Sequence, residues 1–262
     1  MTNWKRVTKE FPCPICKKPD WCCVGDRYIC CMRVQSGKIA HNGGWLHEIE
    51  GAKPLPLPPR LPYTPSINAE RILAEWSRAT EARKVWELAQ KLGLPVASLL
   101  LLSPAWASDH QAWAFPMVDS YGHVIGIRLR DEHGNKWAVK GSKQGLFVPD
   151  CAPQELVIVC EGPTDTAAAL SMGFYAVGRP SCLGCESYVQ SLIRRNDIRR
   201  AVIFADNDEP GQTGARKLIQ YLGVPAIIMY PPAKDLRDFV LHGGNAKVLH
   251  SLWGGMVWAQ PK

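Results

Sequence analysis

The chain has 262 residues, 46% of them apolar, and a formal net charge of +7. That length fits one large domain or several small ones, and the apolar share is that of a chain able to bury a core. The longest central apolar run, residues 96–102, is interrupted by Ser98 and falls far short of the 18 or so residues of a membrane span. The basic N-terminus, MTNWKRVTKEF, lacks the apolar segment of a signal peptide, so a cytoplasmic location and no membrane partner are expected. Residues 1–150 carry 20 Lys/Arg against 14 Asp/Glu, and residues 151–262 carry 11 against 10. The basic excess lies in the first part, as suits a polyanionic partner.

Residues 1–51 form the first segment, expected to be a small zinc-binding β module. Six of the ten cysteines lie between Cys13 and Cys31. Such clustering in a chain without an export signal reads as metal binding rather than as disulfides. Cys13-Pro-Ile-Cys16 has knuckle spacing, with two thiolates on a tight turn. A second pair must close a tetrahedral site, from Cys22 or Cys23 and Cys30 or Cys31, with His41 and His47 as alternative fourth ligands. Arg27, Arg33 and Lys38 supply charge for a polyanionic partner, and Trp21, Tyr28 and Trp45 offer stacking surfaces. Residues 52–66 hold six prolines and read as an extended, semi-rigid linker.

Residues 67–149 read as a mixed α+β basic subdomain. The periodicity predicts a helix over 67–92, broken near Thr80 and ended by Gly93 and Pro95. Strands follow over 112–118, 124–129 and 136–139, as an antiparallel meander with turns at 119–122 and 131–135. Arg128 and Arg130 alternate onto one face, with Lys136 and Lys140 across the turn, a basic groove suited to phosphate groups.

Residues 150–255 alternate strands (156–160, 174–178, 201–205, 226–230) with helices (164–172, 186–195, 211–222, and one from Asp235). This predicts a parallel α/β sheet covered on both faces. Ligands of such sheets sit at the carboxyl ends of the strands. Those ends carry Glu161-Gly162 and Asp206-Asn207-Asp208, with Asp165 one helical turn past Glu161, and Asp235 and Asp238 after the fourth strand. Crowded carboxylates with no neighbouring His select Mg²⁺ or Mn²⁺. In an extended segment Asp206 and Asp208 point the same way, able to clamp one metal beside Glu161. Cys182 and Cys185 have no visible partner pair and are expected to be unliganded.

LVIVCEGPTDTAAAL and AVIFADNDEPGQTGARKL resemble the two halves of a TOPRIM domain, shared by bacterial primases, topoisomerases and some nucleases. The resemblance covers about 156–240 and implies that Glu161, Asp206 and Asp208 are the magnesium and catalytic carboxylates. Asp165 and Lys234-Asp235 match further primase positions, while Asn207 stands where cellular primases favour a small residue. WAFPMVDSYGHVIGIRLRDEHGNKWAVKGSKQGLF resembles the primase subdomain before TOPRIM, and the cysteine segment resembles the zinc modules of phage and plasmid primases. The latter aligns Cys22 and Cys31 with Cys13 and Cys16 as zinc ligands, leaving Cys23 and Cys30 spare. A topoisomerase would need several hundred more residues and a tyrosine module. No Gly-x-x-x-x-Gly-Lys-Ser/Thr loop marks a fused helicase. The resemblance implies a phage or mobile-element DNA primase taking single-stranded DNA and ribonucleoside triphosphates, with a separate helicase. A TOPRIM nuclease and a non-catalytic single-strand binding factor are the alternatives.

Overall fold

A computed structural model describes residues 4–40, 43–49 and 67–260. The proline-rich linker and His41 lie outside the described residues. The chain divides into two compact units, Met1–Tyr63 and Thr64–Lys262. No helix among the described residues is long and apolar enough to cross a membrane.

The first unit is an antiparallel sheet of four short strands in chain order: β1 (Lys5–Arg6), β2 (Cys23–Val24), β3 (Tyr28–Cys31) and β4 (Trp45–Glu48). Its core is Val7, Ile29 and three cysteines, Cys13, Cys22 and Cys31. A module this small buries too little apolar surface to fold on that alone, so thiols at its centre imply a metal staple.

The second unit opens with α1 (Ala69–Ala79) and α2 (Ala82–Leu92). Asn68 caps α1 by accepting from Arg71 N at 3.0 Å, and Gly93, at φ 66°, closes α2 in the left-handed conformation. The break expected near Thr80 has a visible cause. Thr80 Oγ1 donates to the Trp76 carbonyl (2.7 Å) and accepts from Trp106 N (2.8 Å), turning the chain toward the following sheet. After α3 (Val96–Leu100) come β5 (Ala105–Ala107), β6 (Ala112–Val118), β7 (Val124–Asp131) and β8 (Lys136–Ala138), an antiparallel meander.

The rest alternates: β9 (Leu156–Glu161), α4 (Gly162–Ser171), β10 (Tyr175–Arg179), α5 (Glu186–Arg195), β11 (Arg200–Phe204), α6 (Glu209–Ile219), β12 (Ala226–Met229), then α7 (Leu236–Leu241) and α8 (Ala246–Trp253). The four strands pair in parallel in the order β10-β9-β11-β12. Ile158, Val202 and Ile227 face α4, α7 and α8 in one cluster. Val157, Val159 and Ile203 face α5 and α6 in another. Both faces are therefore covered, as continuous apolar strands require. The first cluster also takes in Leu88 and Leu92 of α2 and Phe115 of β6, so one core runs through residues on both sides of position 150. Phe147 exchanges two backbone hydrogen bonds with Gly178 while Leu146 does the same with Val118, tying the meander to β10. The short elements α3 and β5, and the terminal α8, extend the sequence reading: the first two are too short for a periodicity to register.

Candidate metal centres and active site

In the first unit the knuckle is built by backbone. Lys17 N donates to the Cys13 carbonyl and Cys13 N to the Lys18 carbonyl, both at 2.9 Å, folding Cys16 back over Cys13. The sulfurs of Cys13, Cys16, Cys22 and Cys31 all lie within 4.8 Å of one another, the one such group among the described residues. Amides serve the thiolates: Met32 N donates to Cys22 Sγ at 3.4 Å and Val34 N to Cys31 Sγ at 3.3 Å. Arg33 Nη1 reaches Cys16 Sγ at 3.9 Å. Against the pull of burial, the Lys18 amide and the neighbouring thiols bring Cys16 down to about 6, while burial pushes Cys22 up to about 12. Thiols that compete for negative charge in this way are relieved by a soft divalent cation, and four sulfurs fit Zn²⁺.

Strand phase separates the adjacent cysteines. Cys23 and Cys30 are paired across β2 and β3, and Cys31, one residue on from Cys30, lies on the opposite face with the other thiols. His47 stands outside the group, its Nε2 bonded to the Val34 carbonyl at 3.0 Å. Of the expected stacking aromatics, Trp21 is 78% exposed, whereas Tyr28 and Trp45 are half-buried and Arg27 and Lys38 lie over the Tyr28 ring.

The second centre lies at the carboxyl ends of β9 and β11. Glu161 ends β9, and Gly162, at φ +80°, turns the chain sharply into α4. The carboxyl of Glu161 is pushed up to about 7 by burial and by Asp206, with Arg179 pulling the other way. One of its oxygens, Oε1, is buried without a hydrogen-bond partner. Asp165, buried in the first turn of α4, is also raised to about 7, by burial and then by Asp235, and accepts from Arg237 N at 3.0 Å. Asp206 is half-buried and raised by burial, Asp208 and Asp235.

Asp208 keeps the extended backbone expected of it, at φ −125° and ψ 166°, although the strand itself stops earlier. β11 ends at Phe204, and Asn207–Asp208 form a bend. Asp208 is exposed and caps α6, its Oδ1 accepting from Gly211 N at 2.7 Å, which leaves one oxygen free. Asp235 caps α7 in the same manner, accepting from Asp238 N at 2.7 Å. Like charges held together and an orphaned buried carboxylate oxygen fit a hard divalent cation bound by oxygen. The carboxylates do not close to the sulfur cluster's mutual distances.

The basic strip comes from β7 and β8. Arg128 and Arg130 are half-buried and alternate with buried Ile127 and Leu129. Arg130 stands directly opposite Lys136 in the ladder. Arg130 feels Asp165, Asp235 and Arg237, and Lys136 feels Asp165 and Asp206, so this end of the strip faces the acidic site. Lys234 also acts on Asp206. Lys140 is exposed in the turn after β8. Two residues escaped the sequence reading. Arg179 ends β10 beside Glu161, a placement legible only once β10 and β9 are known to pair. Arg237 enters through its backbone, which carries no side-chain signal.

Residues 158–240 match the family model described as Toprim-like. A search of curated proteins found no match. Among solved structures, the Aquifex aeolicus primase with its zinc-binding and RNA polymerase domains aligns with a TM-score of 0.59 and 16% identity, covering 72% of this chain and 60% of that one. The E. coli primase catalytic core aligns at 0.55 and 15%, covering 72% and 79%. A DnaG primase catalytic domain bound to single-stranded DNA aligns at 0.55 and 17%, covering 73% and 80%. Residues 158–240 therefore form a Toprim-like domain, set within a fold that this chain shares with the catalytic cores of bacterial primases.

Proposed function

We propose that the chain is a DNA primase that joins ribonucleotides on a single-stranded DNA template and releases pyrophosphate. The observation that carries this reading is the convergence, at the strand ends of a primase-core fold, of linked carboxylates with a basic strip from the adjoining sheet. Glu161, Asp206 and Asp208 would hold Mg²⁺ or Mn²⁺, which supplies charge neutralisation and alignment for a triphosphate. Asp165 and Asp235 complete the acidic wall and hold α7 in place. Arg128, Arg130, Lys136, Lys140 and Lys234 bind phosphates of template or nucleotide. The zinc module, through Cys13, Cys16, Cys22 and Cys31, would present Arg33 and Trp21 to the template, and a separate replicative helicase is the further partner.

The test is primer synthesis on mixed-sequence single-stranded DNA with labelled ribonucleotides and Mg²⁺ or Mn²⁺, with Asp206→Ala and Cys13→Ser alongside. Short labelled products that vanish in Asp206→Ala support the reading. Shortened template without nucleotide dependence would replace it with a nuclease, and tight binding without product would replace it with a binding factor.

A further inference from the structure

The side chain of Arg33 is held against the sulfur group of the first unit. It lies two residues past Cys31, in the bend that follows β3. From there it reaches across to the other half of the module. Its Nη2 donates to Asp20 Oδ1 at 2.6 Å and its Nη1 to the Asp20 carbonyl at 3.0 Å. That carbonyl also accepts from Cys22 N at 2.8 Å, so the guanidinium is anchored on the turn that carries Cys22. The same Nη1 reaches Cys16 Sγ at 3.9 Å and Cys22 Sγ at 4.0 Å. A surface ion pair needs only the carboxylate. Here one nitrogen is shared between a backbone oxygen and sulfurs from two separate turns, a use suited to the fixed fork of a guanidinium. Charge gives the arrangement a purpose. Four thiolates exceed the charge of a divalent metal by two negative charges. The amides that serve them, Met32 N and Val34 N, bring only dipoles. Among the described residues, Arg33 is the one cationic side chain hydrogen-bonded to these sulfurs, and a neighbouring cation favours the thiolate, the form that binds metal.

We infer that Arg33 is a positioning residue of the zinc site: its guanidinium, anchored by Asp20, holds Cys16 and Cys22 as thiolates and so strengthens the binding of zinc. The inference rests on the zinc reading of Cys13, Cys16, Cys22 and Cys31. It is separate from any contact that Arg33 makes with a template, because what it changes is the affinity for the metal in the absence of nucleic acid.

The experiment is competition for zinc between the full chain and a chromogenic chelator, for the parent, Cys13→Ser, Arg33→Met and Arg33→Lys, with circular dichroism of the metal-loaded chains to monitor the fold. Arg33→Met is expected to weaken zinc binding about tenfold, the lower end of the usual effect of losing a partner of a metal ligand, since the Arg33 side chain is 35% exposed. Arg33→Lys keeps the charge and should recover most of the loss. Co²⁺ in place of zinc supplies a spectroscopic signature. A cationic donor lowers the energy of the sulfur electrons, so the sulfur-to-cobalt charge-transfer band should move to longer wavelength in Arg33→Met and return in Arg33→Lys. Simple anchoring of the two turns would leave the band in place. Should Arg33→Met fail to fold, Arg33→Gln, which keeps a donor without the charge, takes its place and should bind zinc more weakly than the parent. Unchanged affinity in the folded neutral variant, a band that does not move, or a weakening that Arg33→Lys fails to relieve each overturns the inference and leaves the zinc site standing. A parent with no zinc binding sensitive to Cys13→Ser overturns both.

Discussion

The backbone N–H of Arg237 donates to Asp165 Oδ1 at 3.0 Å, across 72 residues of chain. This bond docks the start of α7 on the first turn of α4 and brings Asp235 to the acidic site. It also engages one oxygen of Asp165, which casts that residue as a holder of the wall more than as a metal clamp. Asp165 nonetheless has its carboxyl raised to about 7 by burial and Asp235. Between the ordinary carboxyl range and pH 7 the folded chain retains a proton that the unfolded chain has lost. Stability therefore falls as pH rises through that window and levels off above it. Asp165→Asn keeps an acceptor for Arg237 N and removes the titration. The metal-free variant should gain stability relative to the parent from pH 5 to pH 8, by on the order of 1.4 kcal/mol for each pH unit of the raised titration. Added Mg²⁺ should narrow the gap. Denaturant unfolding at the two pH values measures it, and a constant difference would refute the buried titration.

Asp206 couples to Glu161, Asp208 and Asp235 at once. Asp206→Ala should lower primer synthesis at least about a hundredfold, the scale for losing a group that stabilises transition-state charge. The same change removes repulsion from a half-buried cluster, so the metal-free melting temperature should hold or rise. A variant that loses activity by unfolding would show a lowered melting temperature instead.

Much of this was legible in the sequence because the strands of the parallel sheet are unbroken apolar runs such as Val157–Val159, and because their ends carry carboxylates where ligands bind. The fold of α1 and α2 was legible from spacing and from Gly93. What was not legible depended on partners distant in sequence. Choosing Cys31 over Cys30 by geometry requires the β2–β3 register, since adjacent residues differ only in the face they occupy. That Asp208 also caps α6, through one of its carboxylate oxygens, shows only once α6 is seen to begin at Glu209. Arg179 follows an apolar run and carries no signal of its own until β10 is known to pair with β9.

Strand phase makes a separate prediction for the zinc module. Cys13→Ser, Cys16→Ser, Cys22→Ser and Cys31→Ser should each reduce bound zinc from about one ion per chain and destabilise the module, because the metal's binding energy is its folding energy. Cys23→Ser and Cys30→Ser should retain the zinc. Elemental analysis of the purified variants decides it: zinc kept in Cys31→Ser but lost in Cys30→Ser would reverse the assignment.

Gly162 lies at φ +80° with nothing within 4 Å of a Cβ built on it, so the cost of a side chain there is conformational and not a clash. Gly162→Ala should destabilise the chain by about 1–2 kcal/mol. It should lower activity further, because the turn sets the direction in which Glu161 leaves β9. Restored activity under stabilising osmolyte would mean that only stability had been lost.

Arg130 and Lys136 face each other across β7 and β8 and both act on Asp165, so their electrostatic work divides between the site and a polyanion. If they contact phosphates of a single strand, Arg130→Ala and Lys136→Ala should each reduce the slope of log affinity against log salt by about 0.7, the value for one phosphate contact on single-stranded nucleic acid. Weakening should be uniform across template sequences, since phosphate contacts carry no sequence information. Fluorescence anisotropy over a salt series on two unrelated oligonucleotides measures both quantities. An unchanged slope with a raised nucleotide KM would place the strip on the triphosphate. Loss confined to one oligonucleotide would instead mean that the strip reads bases.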